Sequence, residues 1–213
     1  MNIKLFNVAL GLALTATTIS ASAQKTYTEG VVTVNTLAMG QPVVAKDYFR
    51  ADSNALIFTN GPATIKILSD AKNTFFAILL DVPVVSMKKA AILTPDEIEQ
   101  QLSTYPKFTF SPTTETKQIS GFNCKKVIAT DTKTQKAYDV WITNDISIPE
   151  TGFRNYYTGI GGFPVQYTSF AQGQESSVTV TGITDTKAPA GTFGIAADFD
   201  KISLDDLKAM GPK

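Results

Sequence analysis

ALIFTNGPATIKILSDAKNTFFAILLD, residues 55–81, decides the fold class. It holds three runs rich in β-branched and aromatic residues, 55–59, 63–69 and 74–81. The breaks between them are turn formers, Asn60-Gly61-Pro62 and Asp70-Ala71-Lys72-Asn73. Asn60-Gly61 suits a tight hairpin, while Pro62 favours a slightly longer connection. The FFAILL run (75–80) is apolar at odd and even positions alike, so it predicts a central strand or one covered by another element.

The same rhythm extends outward. Strands are predicted at 26–34, 83–93, 117–120, 123–130, 136–143, 165–171 and 176–184, and Asp131–Gln135 reads as a hairpin loop. In the arm after that loop Tyr138, Val140 and Ile142 share one face, and Asp139, Trp141 and Thr143 the other. Two helices carry start signals. Thr94-Pro95-Asp96-Glu97 opens one over 95–104 with a cap, a first-turn proline and a carboxylate at the third position. Ile98 and Leu102 lie four apart on one face of it. Ser203 opens the other over 204–210, with Gly211-Pro212 as its stop. The helical carboxylates Asp96, Glu97, Asp205 and Asp206 all sit in first turns, where the helix dipole favours them. About ten strands and two short helices with no βαβ alternation predict a mostly β, α+β fold: an antiparallel sheet with the helices against it. No repeat or linker divides the chain, and 187–194 (KAPAGTFG) reads as a long loop.

The first residues read as an export leader. Lys4 is the positive n-region, LFNVALGLALTA is an apolar run too short to span a bilayer, and Ala21-Ser22-Ala23 is a small-x-small cleavage site. We therefore expect residues 1–23 to be cleaved and 24–213 to form one β-rich domain, periplasmic or secreted, with no lipid anchor and no membrane span. The whole chain has 19 basic and 19 acidic side chains; losing Lys4 takes the neutral balance to −1. That leaves no electrostatic footprint for nucleic acid. Cys124 is the only cysteine and there is no histidine, so an internal disulfide and a Cys–His pair are both excluded.

Chemical motifs reduce to local structure. GIGGFPVQY (159–167) has Pro164 where a dinucleotide fingerprint needs its third glycine, and a β-type run follows where a helix should start. It reads as a turn. Ser-x-x-Lys occurs at Ser69–Lys72 and Ser86–Lys89, but neither serine is at a helix start, and no Lys-Thr-Gly accompanies them. Asp198-Phe199-Asp200 lacks the glycine and distal glutamate of a calcium loop. No cofactor, metal or catalytic residue is expected. The 13 phenylalanines and their aromatic neighbours suggest either a large β core or an apolar sheet face that holds an acyl chain. The second reading assigns ligand contacts to Phe75, Phe76, Leu80, Trp141, Tyr157, Phe163 and Tyr167.

ETKQISGFNCKKVIATDTKTQKAYDVWIT (115–143) resembles the Lys-x-Ile-x-Gly-aromatic-x-Cys-x-Lys … Trp-x-Thr segment of a group of exported bacterial proteins. The group includes the GLPGLI family and a related family of unknown function. GIGGFPVQY falls where the first places its Gly-Leu-Pro-Gly-Leu turn, and DFDKISLDDLKAM (198–210) resembles the usual ending. With Gly161-Gly162-Phe163-Pro164 in place of Leu-Pro-Gly, the chain is more similar to the second. These families look similar to the periplasmic lipoprotein carriers, which implies a half-open antiparallel barrel lidded by helices. It also implies a non-catalytic carrier for a lipid or an acylated lipoprotein. The alternative is an envelope module that binds another protein, with a hydrolase third; neither reading sets an oligomeric state.

Overall fold

The computed structural model describes residues 24–38, 40–149, 156–171 and 174–210. The leader at 1–23 and the Gly211-Pro212 stop lie outside these residues.

Among the described residues the chain forms fourteen strands and two α-helices. In order they are β1 (Lys25–Thr26), β2 (Gly30–Ala38), β3 (Gln41–Arg50), β4 (Ser53–Asn60), β5 (Ala63–Asp70), β6 (Phe76–Val82) and β7 (Met87–Ile92), then α1 (Pro95–Ser103). There follow β8 (Phe108–Ile119), β9 (Phe122–Asp131), β10 (Ala137–Thr143), β11 (Ile146–Ser147), β12 (Phe163–Ala171), β13 (Gln174–Thr184), β14 (Asp200–Ile202) and α2 (Leu204–Ala209). Twelve strands make one large curved sheet in the order β14-β7-β6-β5-β4-β3-β2-β13-β12-β10-β9-β8. All its pairings are antiparallel except β7 with β14, and its ends do not meet, so no barrel closes. β1 and β11 form a small parallel pair beside it.

Two meanders build the sheet. β2 to β7 run consecutively on one side, β8 to β13 on the other, and the β2–β13 pair joins them. Every step within each meander is antiparallel, so short connections suffice except between β10 and β12, where the segment that carries β11 intervenes. The β4–β5 connection is tighter than Pro62 suggests: Asn60 pairs with Ala63, leaving Gly61-Pro62 as a two-residue loop. Gly61 has φ +58°, which with the fixed negative φ of proline gives the sign pattern of a type II′ turn. Residues 83–86 correct the strand expected over 83–93. Pro83–Val85 form a single 3₁₀ turn, and Ser86 caps it at φ +50° before β7 begins.

Both helices begin as their capping chemistry requires. The Thr94 hydroxyl accepts the Glu97 N–H at 3.3 Å, and the Glu97 carboxylate accepts the Thr94 N–H at 2.7 Å. Ser203 accepts the Asp206 N–H at 3.0 Å. α1 buries Ile98 but leaves Leu102 exposed, so the apolar stripe expected of it is half used. α2 packs beside β7 and buries Leu207.

Candidate functional site

Strand register sorts the side chains into two faces. Across β2 to β7, the row Val32, Asp47, Leu56, Ile67, Ile78, Ala91 lies on one face, as does the next row, Ala45, Phe58, Ile65, Leu80, Lys89. We call this the inner face. Tyr48, Ala55, Leu68, Ala77 and Ile92 form a row on the outer face.

The outer face of this meander is packed. Ala55, Leu68, Ala77, Leu79 and Ala90 form a buried core roofed by Phe193, Ile195 and Phe199 from the segment between β13 and β14. Lys66 pins that segment by donating to the Gly194 and Gly191 carbonyls at 2.7 and 3.2 Å. Lys88 pairs with Asp198 at 2.6 Å, and the Arg50 guanidinium lies over the Phe193 ring. The loop expected at 187–194 is thus a strap, and it accounts for one apolar side of FFAILL.

The inner side stays half open. Leu56, Phe58, Ile65, Ile67, Ile78 and Leu80 are all half-buried, and neither buried core includes them. Leu56 and Phe58 lean on the larger core; the other four form a patch across β5 and β6. This patch is the candidate site. At one end of it the face turns polar. Asp47, Asn54 and Ser69 are all buried there, Asn54 directly opposite Ser69 and donating its amide N–H to the Asp47 carboxylate.

The other meander packs its inner face solidly. Val34, Val180, Val178 and Tyr167 follow one another across β2, β13 and β12 and join the larger core. Tyr157 stacks on Phe108 at 5.4 Å with ring planes 7° apart and meets Tyr167 edge-on at 5.6 Å. Tyr156 adds Phe170 at 5.3 Å and Tyr105 at 5.4 Å, tying the segment after α1 to the same cluster. The Tyr157 hydroxyl donates to the Thr168 carbonyl at 2.8 Å. Burial pushes the phenols of Tyr156 and Tyr157 well above their ordinary range, so both stay neutral.

The seven residues singled out from sequence therefore divide. Phe76 and Leu80 stand on the inner face in the meander that carries the patch, opposite Ser69 and Ile65. Phe75 precedes β6 and is exposed, with its N–H given to Asp70 Oδ1 at 3.1 Å. Tyr157, Phe163 and Tyr167 are buried in the larger core. Trp141 lies on the outer face: its register partner is Gln166, the neighbour of the inner-facing Tyr167. The ring touches the edge of the larger core and is otherwise flanked by charge, with Lys117 Nζ 4.0 Å above it and Lys126 bridging Glu115 and Asp139. Sequence reasoning missed Leu56, Phe58, Ile65 and Ile67 as candidate site residues, while Ile78 lies within the FFAILL run it favoured. The signal was available in the alternation of Ile65 and Ile67 with Lys66.

GIGGFPVQY is a turn, as read. Gly159 and Gly161 take φ of +85° and +91°, and β12 follows. A cavity of about 430 Å³ adjoins it, walled by Ile146, Ile148, Pro149, Ile160 and Phe163. Cys124 is 2% exposed, and burial pushes its thiol from 9.0 up to about 11. The native protein should therefore resist iodoacetamide at pH 8 and react once unfolded in urea. Because the fold holds this proton more tightly than the unfolded chain does, stability should fall as pH rises above about 8.5 toward 11. Alkylation of the native protein at the unfolded rate would contradict that burial.

Among the described residues no group of three or more Cys, Asp or Glu converges to hold a metal ion, and no helix is long and apolar enough to cross a membrane. No family model and no curated protein matches the chain. Solved structures resemble it weakly. PNGF-II in space group C2 matches at 18% identity and TM-score 0.45, covering 85% of this chain and 32% of PNGF-II. Its P21 form gives 16%, 0.45, 86% and 33% in the same order. MucB matches at 11% identity and TM-score 0.37, covering 80% of this chain and 58% of MucB. The chain thus spans about a third of PNGF-II and less than two thirds of MucB.

Proposed function

We propose that this is an exported, non-catalytic binding protein of the group its 115–143 segment resembles, holding an acyl-bearing amphiphile on the inner face of β4 to β6. The observation that supports this reading is the half-open row set Leu56, Phe58, Ile65, Ile67, Ile78 and Leu80. A strand whose outer side is closed by a strap needs no apolar inner side for stability; polar residues would suit a solvated face. Covering such a patch with a methylene chain removes apolar area from water at about 25 cal/mol per Å². The leader and the small net charge suit an envelope protein that meets lipid-like cargo away from nucleic acid.

The test is native mass spectrometry of protein purified gently from a periplasmic extract, paired with titration of a fluorescent C12 acyl probe into delipidated protein. Co-purifying mass that leaves on organic extraction, and saturable probe binding lost in Ile67→Lys, is the expected result. A clean peak at the mature mass together with no saturable binding would overturn the reading and favour a protein partner.

A further inference from the structure

Among the described residues three buried side-chain oxygens have no hydrogen-bond partner within the chain: Asn54 Oδ1, Ser69 Oγ and Asp81 Oδ1. Asp81 lies on the outer face opposite Lys88, whose Nζ is 3.9 Å away. The other two belong together. Asn54 and Ser69 are register partners on β4 and β5, 1% and 6% exposed, and both point to the inner face at the end of the apolar patch. Buried polar atoms are satisfied in the great majority of cases, and one left unpaired carries its full desolvation cost. Two at one spot, beside a half-open apolar face, leave room for a partner from outside the chain.

Their chemistry restricts that partner. Asn54 has committed its N–H side to Asp47, so its remaining atom only accepts. Ser69 accepts or donates. The Asp47 carboxyl, one hydrogen bond away, lines the same niche. We propose that the ligand is a single-chain amphiphile that seats polar end first, and that this end is a neutral hydrogen-bond donor, a hydroxyl or an amide, in preference to a carboxylate. Its chain would leave the niche along Leu56, Ile67 and Ile78. Phe76, half-buried and directly opposite Ser69, is the ring that turns to admit the end. This inference rests on the carrier reading and adds the direction of binding and the class of the polar end.

Displacement of the C12 acyl probe from the mature protein tests it, with 1-dodecanol and dodecanoate as competitors at pH 8. Their chains are matched, and only the end group differs. Dodecanol should compete at about tenfold lower concentration, the factor one well-made hydrogen bond provides. Ser69→Ala removes a hydroxyl that has no partner in the fold, so the variant should fold normally and lose most of that preference. Equal competition by the two, unchanged in Ser69→Ala, would mean that the pair serves an internal water and would overturn the inference while leaving the carrier intact. A stronger dodecanoate would overturn it outright. Absence of probe binding would overturn the carrier reading as well.

Discussion

Gly30→Ala should lower stability by about 3 kcal/mol and the melting temperature by about 10 °C. Gly30 opens β2 at the seam between the two meanders. A methyl group there would lie 2.2 Å from the Thr184 carbonyl oxygen of β13 and 3.2 Å from Phe49 Cζ. The first contact is with backbone, which can withdraw only by opening the pairing of Val31 with Thr184. Gly182→Ala is the control. It sits on the same seam, paired with Thr33, and has no atom within 4 Å of the added carbon. It should be neutral or slightly stabilising, because alanine has less freedom to lose on folding. Thermal unfolding followed by circular dichroism decides the matter; two variants that melt together would mean that the strands do not meet as described.

Phe49→Ala should cost about 3–5 kcal/mol, the range for emptying a filled aromatic site. Phe49 is 1% exposed and stands directly opposite Gly30, so its ring covers the space the glycine leaves. Its neighbours are held in two sheet ladders and cannot collapse into the hole. Urea denaturation should show a lower midpoint with an unchanged slope. The double variant should recover nothing of the Gly30→Ala loss, because removing the ring leaves the Thr184 oxygen in place. A Phe49→Ala loss below about 1 kcal/mol, or rescue in the double variant, would contradict the packing.

How much of this was legible in the sequence depends on how local each determinant is. Both helices were readable to within a residue, since an N-cap signature is written in four consecutive positions. The hairpins around Asp131–Gln135 and through 55–81 were readable for the same reason. β3 was not, although Ala45, Asp47 and Phe49 alternate cleanly inward. Its middle inward residue is a carboxylate, which hides the period from a hydrophobicity reading. The first half of β8 was hidden by Pro112; a register shift between Pro112 and Thr116 accommodates it at the sheet edge.

The site was half legible. Two apolar sides on FFAILL announced two coverings or one covering and one opening, and the strap that resolves the choice lies over a hundred residues downstream. Trp141 was drawn into the site by its size. Its face, opposite to that of Tyr138 and Val140, could be read from period-two alternation, but which face of the sheet would be apolar required the pairing with Gln166. The niche at Asn54 and Ser69 leaves no trace in sequence, because nothing local says that these two polar residues will be buried side by side.

The seam has a temporal consequence. Each meander pairs strands that are close along the chain, with β10 and β12 separated only by the segment that holds β11, so both can zip as the chain is delivered. The β2 edge, by contrast, has to wait for β13, and the outer core has to wait for the strap that follows it. Until then β2, nine residues of mostly apolar and β-branched chain, is an unguarded edge able to pair with another unfinished copy. Aggregation in this protein is thus a hazard of arrival, concentrated in the interval before the last fifth of the chain is delivered.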